Sequence, residues 1–408
     1  MTYRAPKGTV DLLAPHSRMW RRAERAFHHL AERYGYELIL TPLFEATELF
    51  ARGVGEDTEV VEKQMYTFLD KGGRSVTLRP EATAGIVRAF IEAGGVSTVA
   101  KTATWGPMFR YEQPQKGRNR QFYQADIEYL GEESPDADVE VIEFGYRYLL
   151  ELDVSSPRVL LNSIGDPGDR RQYREILTAW LEERASGLSG DARKRMETNP
   201  LRVLDSKADA ALVAEAPAPL DHLGVDAAAH LASVRRGLER RGVPYTIAPR
   251  LVRGLDYYNR TVFEYESPAF HAAQSSLGGG GRYDPLFELL GGKPTPAVGL
   301  AMGIDRIVAA AAAVDGPGLD VFVVIADARL RDEALDLVAS LRDAGVRADA
   351  DLGSRSVRAQ FKAADRRQAR WAAVVGEEWR AGDVTLRDMD SGEQTTVPAG
   401  EVARWVTP

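Results

Sequence analysis

A break at Asp315-Gly316-Pro317-Gly318 limits how this chain of 408 residues can fold more than any other feature. Proline and glycine end the helical pattern before the break and produce a linker. Strand and helix patterns alternate in the following segment, 319–408, which is typical of an α/β domain and long enough for one small domain. We therefore predict two domains, at 1–316 and 319–408.

Strand and hairpin signals in the first domain predict a mostly antiparallel, β-rich body. Helical spacing covers 15–34, and a hairpin is indicated around the turn Lys71-Gly72-Gly73. The stretch 168–241 differs, because it is rich in Ala, Arg and Glu and carries helical spacing. We therefore predict a helical insertion at about 168–241, with strands resuming at 245–247.

The composition excludes several kinds of chemistry. Because the chain has no cysteine, it can form no disulfide, no thiolate nucleophile and no cysteine-bound zinc site. None of its six histidines forms an HExxH pair, so we expect no zinc or other metal site. The formal net charge of −8 argues against general binding to nucleic acid or membranes, although it allows a local basic patch. Without a segment apolar enough for a membrane span or signal peptide, we expect a cytoplasmic protein.

Basic residues concentrate between two predicted strands, at 105–111 and 120–129. The interval 110–120 contains one acidic residue, Glu112, against four basic ones, namely Arg110, Lys116, Arg118 and Arg120. Guanidinium groups grip phosphate oxygens through two parallel hydrogen bonds, so this loop suits a phosphate ligand. A solvated hairpin with a charged tip explains the same segment equally well.

The second of these strands carries polar residues at alternate positions. Gln124, Asp126 and Glu128 share one face, because successive side chains of a strand point to opposite sides. If that face lines a pocket, it offers one amide and two carboxylates to a polar or cationic ligand. Phe122, near the start of the strand, is placed to stack on a base.

Two segments before the break combine arginine with tyrosine. In the first, Arg253 precedes the pair Tyr257 and Tyr258, whose rings offer apolar walls and hydroxyl groups. The alternative is a turn with the tyrosines on opposite faces and only one of them buried, which does not account for Arg253. In the second, the glycine run 278–281 permits close backbone approach to a ligand and is followed by Arg282-Tyr283-Asp284. A flexible surface loop is the ordinary interpretation of such a run, and it matches no dinucleotide or P-loop motif.

Two further arginine patterns suggest anion contacts. The stretch 297–306 predicts a strand of small residues leading into a helix with Arg306 in its first turn, where the helix dipole disfavours a cation unless it meets an anion. Basic residues recur at spacings of three and four from just before a predicted helix over 356–370 to its end, namely Arg355, Arg358, Lys362, Arg366 and Arg370. They predict a stripe for RNA or phosphate, although a solvated helix face is the usual meaning of such a pattern.

Together these segments resemble the histidyl-tRNA synthetases, a branch of the class II aminoacyl-tRNA synthetases, over essentially the whole chain. Thr41-Pro42-Leu43-Phe44-Glu45 resembles class II motif 1, 109–128 resembles motif 2 and 297–306 resembles motif 3. Two segments resemble signatures of the histidine branch, namely Leu255-Asp256-Tyr257-Tyr258 with Arg253, and Gly279-Gly280-Gly281-Arg282-Tyr283-Asp284.

The resemblance implies an α+β catalytic domain with an antiparallel sheet flanked by helices, and a small C-terminal α/β anticodon-binding domain. It implies a histidine–tRNA ligase that activates L-histidine with ATP and transfers it to tRNA(His). A homodimer is implied, and Mg²⁺ is expected with the substrate ATP, without zinc. The alternative is a non-catalytic paralogue, a histidine-sensing regulatory subunit of ATP phosphoribosyltransferase. That family typically lacks the C-terminal domain, which is present here.

The resemblance also assigns roles to individual residues. The implied ATP-binding residues are Arg110, Glu112, Arg118, Phe122 and Arg306. The implied histidine-binding residues are Glu81, Thr83, Gln124, Glu128, Arg253, Tyr257, Tyr258 and Tyr283. Arg253 and Arg110 are the implied catalytic residues. Contacts with tRNA are expected at Gln113, Lys116, Arg355, Arg358, Lys362 and Arg366.

Position 113 departs from the family pattern, which commonly has arginine there. Because Arg110, Arg118 and Arg120 remain, we expect the activation of the amino acid to survive this change. The departure instead puts in doubt one contact between the motif 2 loop and the acceptor end of the tRNA.

Overall fold

The chain divides into two units, Met1–Ala313 and Val314–Pro408. This computed structural model describes residues 3–55, 58, 60–113, 118–206, 208–255, 257–268, 276–312, 318–353 and 355–407. Lys116 and the predicted linker residues 315–317 lie outside the described residues.

The first unit contains both helices and strands. In chain order, its helices are α1 (His16–Arg33), α2 (Thr47–Val54), α3 (Thr83–Glu92), α4 (Pro135–Glu151), α5 (Pro167–Glu182), α6 (Gly190–Thr198), α7 (Ala210–Val213), α8 (Val225–Arg240), α9 (Leu286–Leu289) and α10 (Ile304–Ala310). Its strands are β1 (Glu37–Leu38), β2 (Phe44–Ala46), β3 (Tyr66–Leu69), β4 (Ser75–Leu78), β5 (Ala100–Phe109), β6 (Gln121–Leu130), β7 (Arg158–Ser163), β8 (Tyr245–Ile247), β9 (Asn259–Glu266), β10 (Ser276–Arg282) and β11 (Ala297–Gly303).

A sheet with the strand order β1-β5-β6-β11-β10-β9-β7-β8 forms the centre of this unit. The edge strands β1 and β8 pair in parallel with β5 and β7, and the pairs between them are antiparallel. A second sheet, β2-β4-β3, contains the hairpin that the sequence predicts around 71–73. The expected antiparallel sheet flanked by helices is confirmed, with a parallel strand added at each edge.

Helices cover one face of the central sheet. Phe27 of α1 and Phe144 of α4 lie in one buried cluster with Ala125 and Ile127 of β6. The spacing of apolar residues in α1 explains its place, because its buried side chains recur every three or four residues and form one stripe. Since side chains alternate along a strand, the even-numbered residues of β6 are turned toward the opposite face.

The segment 168–241, predicted as a helical insertion, contains helices and short 3₁₀ turns and no strand among its described residues. Tyr173 and Leu177 of α5 pack with Val203 and Val213 in a cluster of their own. The last helix, α8, instead contributes Val234 and its neighbours to the core beneath the central sheet. The stretch therefore contains two packing environments, and only its first part forms a separate core.

The glycine run 278–281 forms most of strand β10, so its interpretation as a surface loop is wrong. β10 pairs on both sides, with β9 and with β11. A Cβ at Gly280 would lie 1.9 Å from the carbonyl oxygen of Gly299, which is far inside van der Waals contact. Strand propensity did not predict β10, because glycine has a low propensity for strands. Glycine occurs within a strand mainly where a neighbouring backbone or side chain approaches closely.

The second unit is an α/β domain. Its strands are β12 (Leu319–Ile325), β13 (Ala348–Ala350), β14 (Ala369–Val375), β15 (Asp383–Asp388) and β16 (Gln394–Pro398), and its helices are α11 (Arg331–Asp343), α12 (Val357–Arg366) and α13 (Val402–Val406). The sheet order is β13-β12-β14-β15-β16, with β12 parallel to β13 and β14. The alternating pattern of the sequence is confirmed, while β16 and α13 were missed.

The helix predicted over 356–370 is shorter in the structure. α12 ends at Arg366, and Arg370 lies on β14 instead of the helix. The cause is the turn after the helix, where Gln368 has a positive φ of 50° that ends the helical conformation. In the described part of the chain, no helix has the length and apolar character to span a membrane.

Candidate active site

One cavity in the first unit is lined by every residue that the resemblance assigns to the ATP and histidine sites. From the ATP set these are Arg110, Glu112, Arg118, Phe122 and Arg306, and from the histidine set Glu81, Thr83, Gln124, Glu128, Arg253, Tyr257, Tyr258 and Tyr283. They are supplied by strands and loops that are far apart in the sequence. The fold therefore brings the two predicted sets together in a single space.

Glu128 lies at the acidic end of this cavity, with 1% of its surface exposed. The hydroxyl of Thr83 donates to its Oε1 at 2.7 Å, and the hydroxyl of Tyr283 donates to its Oε2. Burial raises the pKa of Glu128 to about 8, although the two hydroxyl donors act in the opposite direction. A carboxyl group of this kind can exchange a proton with a ligand near neutral pH.

Glu81 is a second buried carboxyl at the same end. Its oxygens accept hydrogen bonds from the backbone N–H groups of Thr83 and Ala84, both at 2.9 Å. These are N–H groups at the start of α3, which lack partners within the helix. Burial raises the pKa of Glu81, while the backbone hydrogen bonds lower it. The start of the helix thus fixes the position of this carboxyl group, which lines the cavity.

Three tyrosines form a wall around these carboxyls. The ring centroids of Tyr257 and Tyr258 are 4.7 Å apart, and those of Tyr257 and Tyr283 are 5.6 Å apart. Both Tyr257 and Tyr258 are buried, so the interpretation of these two residues as a turn with one exposed tyrosine is wrong. The reason is that the chain does not continue as a strand at 257–258, and β9 begins only at Asn259.

Glycines form the floor of the cavity on β10 and β11. A Cβ at Gly299 would lie 1.6 Å from Oε2 of Glu128, and one at Gly279 would lie 2.9 Å from Nη1 of Arg253. The glycines therefore give room to the functional side chains of the protein itself, which lie flat on the sheet. The sequence analysis anticipated close approach by a ligand at the 278–281 run but did not identify these side chains.

Arginines gather at the other end of the cavity. Arg118 forms an ion pair with Glu112 at 3.5 Å, and Nη1 of Arg306 donates to the carbonyl of Ser276 at 2.8 Å. Burial lowers the pKa of Arg110, and burial together with the nearby Arg118 lowers that of Arg306. Cations held this close together out of water are stabilised by an anion, which makes this end of the cavity suitable for phosphate oxygens.

Arg253 is positioned by several contacts that the sequence analysis did not identify. Its Nη1 forms an ion pair with Glu264 of β9. The loop before it is held by Asn162, whose Nδ2 donates to the carbonyls of Pro249 at 3.2 Å and Leu251 at 2.9 Å. The strand pattern gave a weak signal for Glu264, since it is a charged residue inside an apolar run.

The motif 2 segment is anchored by Asp305, which was also missed. Its Oδ1 accepts from the side-chain amide of Asn119 at 2.8 Å, and its Oδ2 accepts from the backbone N–H of Tyr123 at 3.0 Å. Asp305 and Asn119 both line the cavity. The side chain next to Asp305 is Arg306, so one helix start holds the loop and presents a cation to the cavity.

Arg282 fixes the position of Tyr283 from behind the cavity. It is 1% exposed and donates to both carboxylate oxygens of Asp138, as well as to the carbonyl of Glu132 at 2.9 Å. Asp138 also accepts from the ring Nε2 of His230 on α8 at 3.1 Å, when that nitrogen carries the proton. A buried arginine in such a set of partners is strongly constrained, because removing any one of them leaves a charge unpaired.

The basic residues predicted in the second unit are not all on one helix. Arg358, Lys362 and Arg366 are exposed on α12, whereas Arg355 precedes the helix and pairs with Asp351 at 2.6 Å. Arg355 and Arg366 line a shallow groove. In the first unit, Gln113 is exposed in the segment after β5.

Histidine and acidic side chains form no cluster suited to a metal ion within the described ranges.

The antiparallel central sheet flanked by helices, on the same chain as a separate α/β domain, is the architecture of a class II aminoacyl-tRNA synthetase. The family model described as histidyl-tRNA synthetase matches residues 8–307, and the one described as anticodon binding domain matches residues 320–407. The chain belongs to the histidyl-tRNA synthetase family.

Individual relatives agree with this assignment over their full length. The histidine–tRNA ligase of Geobacillus kaustophilus (strain HTA426) is 45% identical over 419 residues, which cover 100% of this chain and 98% of that protein. The crystal structure of apo histidyl-tRNA synthetase from S. aureus matches with a TM-score of 0.79 and 34% identity, covering 99% of this chain and 100% of that chain.

The paralogue alternative is not supported by the relatives. A crystal structure titled as an ATP phosphoribosyltransferase regulatory subunit/histidyl-tRNA synthetase from Bacillus halodurans C matches with a TM-score of 0.66, covering 88% of this chain and 96% of that chain. At 22% identity this likeness shows a shared fold alone. The full-length relatives named as ligases favour the enzyme.

The raised pKa of Glu128 predicts how stability depends on pH. The unfolded chain loses this proton near pH 4.5 and the folded protein keeps it until about pH 8, so the free energy of unfolding falls as the pH rises through this interval. Glu128→Gln removes this penalty. We expect its melting temperature to match that of wild type at pH 4.5 and to exceed it by a few degrees at pH 8, as measured by calorimetry.

Glu32→Gln, which changes an exposed carboxyl, serves as the control and should alter the melting temperature little at any pH. A difference for Glu128→Gln that is the same at pH 4.5 and pH 8 would contradict the assigned cause.

The glycine floor predicts a contrast between two substitutions on one strand. Gly299→Ala places a methyl group against Glu128, so we expect a loss of about 1–3 kcal/mol in unfolding free energy from overpacking. Gly303→Ala is the matched control, because the nearest atom to its Cβ, the carbonyl oxygen of Leu277, lies 3.5 Å away. Denaturant unfolding monitored by circular dichroism measures both, and equal stabilities would show that Glu128 moves aside at no cost.

Proposed function

We propose that the protein ligates L-histidine to tRNA(His) in two steps. In the first, a carboxylate oxygen of histidine attacks the α-phosphorus of ATP, and pyrophosphate leaves as histidyl-adenylate forms. In the second, a hydroxyl oxygen of the 3′-terminal ribose of the tRNA attacks the carbonyl carbon, and AMP leaves. The observation that carries this proposal is a single cavity with arginines at one end and buried carboxyls with tyrosines at the other.

The arginine end is proposed to bind ATP. Arg110 would hold the α-phosphate and Arg306 the γ-phosphate of a bent ATP, with Glu112 and Arg118 beside them. Phe122 lines the same cavity, with its ring centroid 5.2 Å from the guanidinium carbon of Arg110, and would hold the adenine. Fixed cations in a cavity with little water stabilise the charge that develops at phosphorus.

Arg253 is proposed as the second catalytic cation, acting with Arg110. It lies over Gly279 on the floor of the cavity, while Arg110 is anchored on β5's end by donating to the carbonyl of Pro80 at 2.9 Å. The two side chains therefore start from different elements and converge on one space. Such an arrangement suits a phosphate group, because the two guanidinium groups can contact its oxygens from different sides.

The carboxyl end is proposed to bind histidine. Glu81, Thr83 and Gln124 would hold the ammonium group, and Glu128 and Tyr258 the two imidazole nitrogens, with Tyr257 and Tyr283 completing the wall. Glu128 supports this role because it is buried in the cavity and held by the hydroxyls of Thr83 and Tyr283. Recognition through buried polar contacts can reject analogues that lack them by up to about 10⁴–10⁵-fold.

Mg²⁺ is proposed to accompany ATP and to be held largely by phosphate oxygens, as is usual for this ion. When bound, it would supply positive charge beside the phosphate oxygens. The cavity fits such an ion, because Glu112 supplies a carboxylate beside the arginines that are proposed to bind the phosphates. No zinc is included in the proposal.

Contacts with tRNA are proposed on both units. Arg355, Arg358, Lys362 and Arg366 of the second unit would meet the anticodon region, supported by the exposed cations on α12 and the groove beside them. Gln113 and Lys116 would meet the acceptor end. With such a substrate we place the protein in the cytoplasm, where charged tRNA is used.

A homodimer is proposed for the first unit. Large apolar side chains are exposed on β1, in the segment after it, at the start of β2 and on β3, namely Leu38, Leu40, Leu43, Phe44, Phe68 and Leu69. An exposed apolar patch of this kind marks an interaction surface, and it includes the segment resembling motif 1. Sedimentation velocity checks this proposal, and a species with the mass of one chain at micromolar concentration would contradict it.

Histidine-dependent exchange between ATP and pyrophosphate tests the function directly. We expect exchange with wild type only when histidine is present, and its absence would overturn the proposal. Arg253→Ala should lower the exchange rate by about 10²–10³-fold, because a cation at the transition state is lost. Histidine affinity, measured by calorimetry, should change far less, and equal losses in both would argue against an electrostatic role.

Arg358→Ala is the matched control for that experiment. It removes an arginine from the second unit, so exchange should be unchanged while the rate of tRNA charging falls.

Gln113→Arg tests the proposed contact with the acceptor end. Exchange should stay within about twofold of wild type, since the side chain is exposed and does not line the cavity. The preference among tRNA(His) variants altered at the 5′-extra nucleotide or the discriminator base should change. Charging assays on those variants measure it, and identical preferences would remove Gln113 from the contact.

A further inference from the structure

Arg79 is a buried arginine that the proposed reaction does not use. It directly follows β4, has 4% of its surface exposed and does not line the cavity. Arginine is rarely buried unless its charge and its N–H donors have partners within the protein. The partners of Arg79 therefore indicate what it does.

The side chain and the main chain of Arg79 both join separate parts of the first unit. Nε donates to the carbonyl of Pro107 on β5 at 3.0 Å, and Nη1 donates to Oγ1 of Thr41 at 3.2 Å. The backbone N–H donates to the carbonyl of Leu43 at 2.9 Å, and the backbone carbonyl accepts from the N–H of Phe109 at 3.0 Å. Arg79 thus connects the end of β5 with the segment that resembles motif 1.

A glycine on β5 makes room for the guanidinium group. A Cβ at Gly106 would lie 2.3 Å from Nη2 of Arg79, so any larger residue at this position would displace the guanidinium. Gly106 is directly opposite Gln124 of β6, which lines the cavity. The guanidinium group therefore lies against the pair of strands that carries the motif 2 residues of the candidate site.

The two residues after Arg79 both contribute to the cavity. The carbonyl of Pro80 accepts from Nε of Arg110 at 2.9 Å, and Arg110 belongs to the ATP set. Glu81 belongs to the histidine set, and its carboxyl accepts from the backbone N–H groups at the start of α3. Because consecutive Cα atoms are held about 3.8 Å apart, a displacement of Arg79 is passed directly to both residues.

Arg79 also supplies positive charge near the acidic end of the cavity. Burial lowers the pKa of Arg79, and the carboxyls of Asp126, Glu81 and Glu45 act in the opposite direction. Burial and the charges of Glu128 and Glu81 raise the pKa of Asp126, and Arg79 opposes this shift. A neutral residue at position 79 would leave these carboxyls with one cation fewer.

We infer that Arg79 is a positioning residue for the ligase reaction, which fixes Pro80 and Glu81 against β5 and thereby sets the ATP and histidine ends of the cavity relative to each other. This inference rests on the proposed function, because it takes both ligands from it. A misplacement of about 1 Å in groups that orient substrates can cost about 100-fold in rate, even when the change lies outside the site.

Two variants test this role by disturbing Arg79 in different ways. Arg79→Met removes the guanidinium group with its hydrogen bonds, whereas Gly106→Ala keeps the arginine and occupies its space. For each variant we expect the kcat/KM of histidine-dependent ATP–pyrophosphate exchange to fall by about 10- to 100-fold, and the Kd of histidine to rise by about 10-fold. Exchange assays and titration calorimetry measure the two quantities.

Calorimetry also separates positioning from a purely structural role. A residue needed only for folding would lower the number of binding sites per chain, while each folded molecule would keep the wild-type Kd. Gly145→Ala is the matched control, because its Cβ would lie 2.5 Å from the hydroxyl oxygen of Tyr265, and neither residue lines the cavity. This overpacking should lower the melting temperature and leave the Kd of histidine within about twofold of wild type.

If Arg79→Met does not fold, Gly106→Ala gives the same comparison with the arginine still present. A wild-type Kd and exchange rate per binding site in the variants that fold would overturn the inference. Wild type that binds no histidine and supports no exchange would instead overturn the proposed function. The two failures are therefore distinguishable in one set of measurements.

Discussion

The site depends on the way Glu128 is held. A buried carboxyl without a cation beside it needs hydrogen-bond donors, and here they are the hydroxyls of Thr83 and Tyr283. Thr83 begins α3, Tyr283 follows β10, and the space for Glu128 exists because residue 299 on β11 is a glycine. Three separate parts of the chain must be placed correctly for this group to be stable. The sheet is the element that makes this placement possible, since β6, β10 and β11 are neighbours or nearly so.

The same sheet keeps the carboxyl groups of the site apart from its arginines. Carboxyls lie along β6 and at the start of α3, while the arginines approach from the motif 2 segment, from α10 and from the loop before β9. Each arginine is tied to a carbonyl or carboxylate of the protein, so the cations converge without collapsing onto the carboxyls at the far end. A zwitterionic amino acid and a polyphosphate can therefore be accommodated side by side. The net charge of the whole chain does not predict this arrangement, because it depends on where individual charged side chains lie.

The sequence predicted most of the architecture and the membership of the site. Periodicity identified α1, strand signals identified the β5–β6 hairpin, and the motif resemblance selected residues that line one cavity. Contacts over long sequence distances could not be predicted, because no local pattern encodes them. Asp305 holding Asn119 and Asn162 holding the Arg253 loop are of this kind. Strand propensity gave the wrong prediction at β10. A glycine run indicates a loop, but here it pairs with the backbones of β9 and β11 as a strand.

The glycine floor also restricts how the substrate range of this protein could be redesigned. A pocket is usually enlarged by shortening the side chains that line it, but a floor of glycines contains nothing to shorten. Among the tyrosines of the wall, Tyr283 is needed to hold Glu128. Room gained from that wall must therefore come from Tyr257 and Tyr258, whose rings are in contact with each other and would have to be replaced together.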